Sequence, residues 1–299
     1  MKLRILFLSS GTRVPSARFR IHPVATYLSR MGHSCTVRAS FPQKYDFFPW
    51  LGFRPSQMLK RFVRRLNLWE ASFRSFDILY IDREIFDDPT TTFETKFHQR
   101  IPCLVLDLDD AVFLRYPEKF ERLVPMSDLL VAGNSFLRAR FAAVHPAIVT
   151  MPTCIDLDVY RLDLRSKTDG PPIVGWMGTT TNVSFIHNAA AALRKLATMC
   201  SFELRIIAGE DTLLKELDLS GVNVRFLPWN PRTEVEEIAR FDIGIMPLRE
   251  DEWSKYKCGL KLLQYMALGI PGVASPVGVN SEIIQSGTNG YLASDDETW

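Results

Sequence analysis

KYKCGLKLLQYMALGIPGVASPVGVNSEIIQSGTNGYLA, residues 255–293, reads as a helix, a turn, a short buried strand, a glycine turn, a helix start and a last strand. Leu260, Leu263, Met266 and Ala267 recur at helical spacing. Gly269 stops the helix, because a C′ residue takes a positive φ, and Pro271 blocks any continuation. Val273–Ser275 is the short strand, and Pro276-Val277-Gly278 turns the chain over its carboxyl end. Asn280 or Ser281 is placed to cap the next helix, with Glu282 in its first turn. A ligand at the carboxyl end of a parallel sheet, facing helix N-termini, is the usual α/β binding geometry. Lys255, Lys257 and Lys261 crowd this approach. With a helix beginning near Lys257, Lys257 and Lys261 share a face at i, i+4. Like charges there cost about 0.2–0.5 kcal/mol unless an anion lies between them. A solvated basic face is the plainer reading of the same lysines.

Working outward, short apolar runs alternate with helical stretches along the whole chain. Strands are expected at Leu3–Leu8, Cys35–Arg38, Ile78–Ile81, Cys103–Asp107, Leu129–Ala132 and Ile148–Met151. A second set is expected at Ile173–Trp176, Leu204–Ala208, Val222–Phe226, Ile243–Met246, Gly272–Ser275 and Tyr291–Ala293. Two such sets define an α/β chain of two doubly wound parallel sheets, each a Rossmann-like domain. Asp156–Pro172 is polar, carries Pro171-Pro172 and has no apolar period. The expected organisation is therefore a domain over 1–160, a linker over 161–172 and a second domain over 173–299.

The 299 residues are 46% apolar and 23% charged, with a net charge of +2, so bulk charge gives no argument for nucleic acid. The five cysteines are scattered without C-x-x-C or zinc spacing, which suits a reducing cytoplasm. The apolar core of the first residues, Ile5–Leu8, is too short for a signal peptide and suits a buried strand. No apolar run is long enough to span a bilayer.

Several loops at strand ends carry chemistry. After the first strand come Gly11, Arg13, Arg18 and Arg20, in a pattern that is not the dinucleotide fingerprint G-x-G-x-x-G. Gly11 lets backbone approach a ligand, and Arg18 adds a charge beside it. Asp82-Arg83-Glu84 follows the third strand, and Asp107, Asp109 and Asp110 end the fourth. Asp109 or Asp110 also reads as a cap for the following helix. Asp107-x-Asp109 is similar to the first motif of haloacid-dehalogenase phosphatases, which has Thr or Val where Ala111 stands. In the second half, Gly178, Thr179 and Thr180 form a turn rich in hydroxyl and N–H donors, suited to a phosphate or to an ST-turn. Gly209 ends the next strand, and Trp229, after the third, offers a stacking surface. Asp242 reads as structural. Residues 41–76 are dense in aromatics, with Lys60, Arg61, Arg64, Arg65 and Arg74 interleaved among Phe62, Leu66, Trp69 and Phe73. Over 55–76 this is either a basic amphipathic helix lying on an anionic membrane or a core-facing helix with solvated arginines.

KLLQYMALGIPGVASPVGVNSEII, followed by GTNGYLA, resembles the donor-binding segment of family 4 glycosyltransferases, retaining enzymes of the GT-B fold. That family carries a glutamate, seven residues, a second glutamate, then Met-Ala-x-Gly-x-Pro. Met266, Ala267, Gly269 and Pro271 stand in place, Gln264 occupies the second glutamate and Tyr256 the first. The resemblance implies two domains facing across a cleft, the first on the acceptor side and the second binding a UDP- or GDP-linked sugar. It implies transfer of that sugar with retention, by front-face attack, without a metal or further cofactor. Lys257 and Lys261 would neutralise the diphosphate, since TTTNVSFIH lacks the basic pair that many members place there. Lys261 and Asp110 would be catalytic, Asp110 by holding a sugar hydroxyl or steadying positive charge at the anomeric carbon. Gln264 would meet the ribose as a neutral partner, and Trp229 the nucleobase. Gly11, Arg18, Gly178, Thr179, Thr180, Gly209, Gly278, Asn280 and Glu282 would complete the donor site. The acceptor would be a glycan, a lipid-linked group or a small molecule, and the enzyme cytoplasmic, at the inner face of the membrane if 55–76 binds lipid. SDDETW looks like the start of a final GT-B helix, so the chain reads as C-terminally incomplete. Two further readings are a catalytically weakened nucleotide-sugar-binding protein and a nucleotide-sugar epimerase of the same fold.

Overall fold

The computed structural model describes residues 1–165 and 170–299. The chain divides into two compact units, Met1–Cys154 and Ile155–Trp299. The expected linker falls partly on residues 166–169, which lie outside the described residues. Residues just after 155 group with the second unit, and Tyr160 is buried there with its hydroxyl on Glu234.

The first unit is built on β1 (Arg4–Ser9), β2 (Ser34–Ala39), β3 (Ile78–Asp82), β4 (Cys103–Leu108), β5 (Leu129–Ala132) and β6 (Ile148–Thr150). These form one parallel sheet in the order β2-β1-β3-β4-β5-β6. Helices α1 (His22–Arg30), α2 (Phe53–Phe73), α3 (Thr92–His98), α4 (Pro117–Met126) and α5 (Ser135–Phe141) connect them. Ile5 and Phe7 pack with Ile21 and Ala25 on one side of the sheet, while Leu6 and Leu8 are buried on the other. Burial on both faces is why these strands are continuous apolar runs and not alternating ones.

The second unit repeats the plan with β7 (Ile173–Met177), β8 (Glu203–Ala208), β9 (Asn223–Pro228), β10 (Ile243–Met246), β11 (Gly272–Ala274) and β12 (Gly290–Leu292). Their order is β12-β11-β10-β7-β8-β9, the doubly wound arrangement in which the winding reverses between β7 and β10. Its helices are α6 (His187–Met199), α7 (Glu234–Ala239), α8 (Glu252–Lys255), α9 (Leu260–Ala267) and α10 (Asn280–Ile283). Val174 and Trp176 face α6 through Ile186, Ala189 and Leu193. Gly175 and Gly244 are neighbours on the opposite face, where a Cβ would fall 2.1 Å from the Phe241 ring and 2.3 Å from the Tyr265 ring. The strand glycines thus let α9 lie directly on the sheet. Every expected strand is present, and Gly269 has the positive φ, 67°, foreseen for it. Asp242 accepts a hydrogen bond from the Ile173 amide at 2.8 Å, a structural tie between adjoining strand starts.

Leu260, Leu263, Met266 and Ala267 lie on α9 as their spacing foretold, half-buried, while its buried positions are Leu262, Gln264 and Tyr265, followed by Leu268. Two expectations are corrected. Gly259, at φ 67°, starts α9 at Leu260, so Lys257 precedes the helix and is not one turn before Lys261 on it. Last, α2 is not a core-facing helix with solvated arginines. Its buried residues are Ser56, Lys60, Arg64, Asn67 and Ala71, while Phe62, Trp69 and Phe73 are exposed.

Under the carboxyl end of the first sheet lies a wholly buried ion pair. Arg20 holds Asp107 with Nη2–Oδ1 at 2.6 Å and donates to the Met151 carbonyl at 2.8 Å. The Tyr80 hydroxyl donates to Asp107 Oδ2 at 2.8 Å. Burial pushes the Asp107 carboxyl up more than the Arg20 charge pulls it down. Removing one member of such a pair strands the other, so Arg20→Met is expected to destabilise the first unit by about 3–5 kcal/mol near neutral pH. The loss should shrink as pH falls through the raised Asp107 value, because the neutral acid needs no counter-ion. Urea unfolding of both proteins at two pH values measures this, and a pH-independent loss would contradict it.

Candidate functional site

The loops leaving β7 and β10 sit at the reversal of the second sheet. Gly178 follows β7, and a Cβ there would meet the Trp176 ring at 2.6 Å and the Lys261 Cε at 3.2 Å. The Lys261 ammonium lies 5.2 Å from the centre of the Trp176 ring, and that of Lys257 lies 5.5 Å from the Phe185 ring in the 3-10 turn Thr180–Ile186. Both lysines therefore converge on the segment that leaves β7, one from the first turn of α9 and one from the loop before it. The 178–181 turn is tied by Thr179 to Thr181 at 3.2 Å between hydroxyls, and the Asn182 amide donates to the Thr179 carbonyl at 2.9 Å. The Thr180 hydroxyl accepts from the Glu210 amide at 3.2 Å, and a Cβ on Gly209 would press on that same hydroxyl at 3.0 Å. No threonine side chain caps the 3-10 turn or α6, so the ST-turn that the sequence suggested is not formed.

The glycine turn after β11 closes the same end of the sheet. Gly278 takes φ 54°, and a Cβ there would lie 2.4 Å from the Lys255 carbonyl oxygen. Asn280 is buried and does not cap α10. Its amide reaches back to donate to the Ser275 carbonyl at 3.0 Å, fixing the 276–278 turn. Glu282 is exposed in the first turn of α10, and Lys255 is exposed on α8, 3.8 Å from Glu252.

Behind these loops lies a network that the sequence did not reveal. Gln264 is wholly buried, and its amide donates to the Tyr160 hydroxyl at 2.7 Å and to Glu234 Oε1 at 3.1 Å. Tyr160 donates to the same Glu234 oxygen at 2.7 Å, and the Trp229 indole N–H donates to Oε2 at 2.8 Å. Trp229 is half-buried with its ring fixed by that bond. Gln264 Oε1 is buried and has no hydrogen-bond partner among the described residues. Only the acid-rich start of α7 hinted at Glu234, because its partners lie 30 and 74 residues away in sequence.

In the first unit, Gly11 packs against Gln43, whose Oε1 accepts from the Arg13 amide at 2.7 Å. Arg18 is half-buried with its guanidinium 4.9 Å from the Phe19 ring. Arg20 points inward to Asp107 and does not join the loop chemistry expected of it, and Asp107 is closed off from a nucleophilic, phosphatase-like role. Arg83, at φ 65°, is held in a left-handed conformation that costs a non-glycine residue about 1–3 kcal/mol. Its guanidinium pairs with Asp109, and its amide donates to the Asp107 carbonyl at 2.9 Å. Burial raises the Asp109 carboxyl, but Arg83 pulls it below the ordinary value. Asp110 is half-buried, accepts from the Ala111 amide at 2.9 Å, and is followed by a 3-10 turn, so it caps no α-helix. No group of three His, Cys, Asp or Glu among the described residues is arranged to hold a metal ion.

The two doubly wound units define the fold of the GT-B glycosyltransferases. The chain superimposes on Anabaena Alr3699/HepE, solved with UDP and glucose, at 18% identity and a TM-score of 0.66, covering 99% of this chain and 87% of that one. A glycosyltransferase from Rickettsia africae matches at 13% identity and a TM-score of 0.69, covering 100% and 86%. AviGT4, a glycosyltransferase of avilamycin A biosynthesis, matches at 14% and 0.61, covering 98% and 85%. Likeness at these identities shows the fold alone. Residues 171–299 match the family model described as Glycosyl transferases group 1, so the family resemblance read from residues 255–293 is borne out over the second unit. No curated protein matches the chain by sequence.

Gln264 carries the plainest testable consequence. A glutamate in its place would put a second carboxylate beside Glu234, where the amide now donates. Gln264→Glu is therefore expected to destabilise the second unit by about 1–3 kcal/mol near neutral pH. The crowded carboxyl would titrate above its unfolded value, so the penalty grows as pH rises past about 4.3 and is absent in acid. Urea melts across that range test the sign, and a variant as stable as wild type at pH 7 would show that the network does not hold the two side chains together.

Proposed function

We propose that the protein is a glycosyltransferase that moves a sugar from a nucleoside diphosphate sugar to an acceptor hydroxyl. The observation that carries this reading is the approach of Lys261 to Gly178 and of Lys257 to Phe185, both in the segment that leaves β7 at the reversal of a doubly wound sheet. The group 1 match over residues 171–299 supports it, as do UDP and UDP-glucose in the solved relatives.

In this reading the diphosphate lies over Gly178, where the lack of a side chain opens the backbone to it. Charge-assisted bonds from Lys257 and Lys261, with the amides and hydroxyls of the turn, take up the negative charge that grows on the leaving group. That is the work a catalytic cation must do here, because stabilisation confined to the ground state does not raise the rate. Trp229, fixed by Glu234, offers its ring to the base, while Gln264, wholly buried, supports Glu234 from behind and is withdrawn from the ribose role expected of it. Gly278, Asn280 and Glu282 shape the far wall. Asp110 is assigned to the sugar, and Gly11 and Arg18 to the donor, from the family resemblance alone. Retention of anomeric configuration, a hexose as the sugar, UDP or GDP as the carrier and the absence of a metal requirement belong to the same proposal.

Incubating the protein with a panel of UDP- and GDP-sugars, with and without sugar acceptors, should release the nucleoside diphosphate and form a glycoside. Interconversion of the sugar without release would identify an epimerase instead. Lys261→Ala should weaken UDP or GDP binding at least about tenfold by calorimetry, roughly 1.4 kcal/mol. Unchanged affinity in a folded variant would remove Lys261 from the diphosphate.

A further inference from the structure

Helix α2 is inside out. Along its 21 residues the inward stripe is Ser56, Lys60, Arg64, Asn67 and Ala71. Lys60 Nζ donates to the Lys44 carbonyl at 2.7 Å, and Arg64 donates to the Ser9 carbonyl at 2.7 Å and the Arg38 carbonyl at 2.9 Å. Two cations of the helix thus serve to satisfy loop and strand-end carbonyls. The helix is further pinned by Glu70, whose oxygens hold Arg38 at 2.6 and 2.7 Å and Arg74 at 2.9 Å. Of the apolar residues of α2, only Ala71 is buried, with Leu59, Val63 and Leu68 half-buried at the margins.

The other apolar residues of α2 face out. Met58, Phe62, Leu66, Trp69 and Phe73 follow one another at helical spacing on the side opposite the polar stripe, with Trp69 65% and Phe73 72% exposed. The loop that leads into α2 carries a further exposed ring, Trp50, 79% exposed and stacked on Phe48. At 1.5 Å per residue the stripe runs about 23 Å. Contiguous apolar surface of this extent marks an interaction site.

The charges beside the stripe identify the occupant. By helical phase Arg54, Arg61 and Arg65 lie along one of its edges. Arg61 shares its charge with Asp88 at 2.7 Å, while Arg54 and Arg65 are exposed with no acidic partner among the described residues. Glu70 is the one acid in the helix, and its oxygens are taken. An apolar stripe rich in Trp and Phe, with arginines along its margin and no uncompensated acid, is the composition of a helix lying in a lipid interface. The rings enter the acyl boundary, and the long arginine stems reach back to anionic headgroups. We propose that the outward face of α2, with the Trp50 loop, docks on an anionic bilayer surface. The geometry gives no spanning segment: among the described residues no helix is long and apolar enough to cross a membrane.

The test needs no nucleotide and does not depend on the proposed function. The full-length protein is floated with phosphatidylcholine vesicles, with and without phosphatidylglycerol, over a range of salt. Binding should require the anionic lipid and fall as salt rises. Phe62→Ala combined with Trp69→Ala and Phe73→Ala should lower vesicle affinity about tenfold or more. Arg54→Gln with Arg65→Gln should remove most of the preference for anionic lipid. All five positions are exposed, so thermal melts should match wild type and show that folding is intact. Absence of binding at low salt, or equal binding by wild type and the triple variant, would overturn the proposal. Light scattering is the second arm. A wild-type dimer that the triple variant dissolves into monomers would assign the face to a second copy of the chain and equally overturn it.

Discussion

The loops that leave β7 and β10 depart toward opposite faces of the second sheet, α6 covering the Val174 and Trp176 side and α9 the Gly175 and Gly244 side. This divergence opens the carboxyl edge of the sheet between them. Everything proposed for the site follows from what the chain puts at that edge. Gly178 leaves the backbone bare above β7, and the glycines beneath α9 bring that helix close enough for Lys261 to reach the same turn. A β-carbon at Gly244 would lift α9 away through Tyr265 and draw Lys261 off the turn with it. Packing on one face of the sheet and electrostatics at its edge are therefore one constraint.

Buried charge is the second theme, and each unit uses it to fix a strand end. In the first unit Arg20, Asp107 and Tyr80 lock β3, β4 and the helix entry together, while Arg83 adopts a strained backbone to meet Asp109. In the second, Glu234 gathers Tyr160, Gln264 and Trp229. A buried pair of this kind adds less stability than its Coulomb energy suggests. Its value lies in holding one arrangement, since each partner becomes costly when left alone.

The strands were legible in the sequence because parallel strands buried on both faces are short apolar runs ended by turn residues, and all twelve expected runs form strands. Gly269 and the 276–278 turn were legible for the same local reason. What escaped was whatever depended on partners distant in sequence. Gln264 was read as a ribose partner, and its burial escaped because its acceptors Tyr160 and Glu234 come from the start of the second unit and from α7. The polarity of α2 escaped in the same way: a helical wheel shows two faces but not which one the sheet receives. The carbonyls of Ser9, Arg38 and Lys44 decide it. Arg20 was taken for a loop cation because nothing near it in sequence foretells Asp107.

The central claim is that a nucleoside diphosphate binds at the reversal point of the second sheet, between the turn after β7 and the start of α9. Amide hydrogen exchange of the full-length protein, followed by mass spectrometry with and without UDP and GDP, tests it most directly. Peptides covering 176–182 and 256–264 should gain protection together with at least one of the two nucleotides, while those covering β12 should not change. Protection confined to other segments, or none at saturating concentrations of both, would contradict the account.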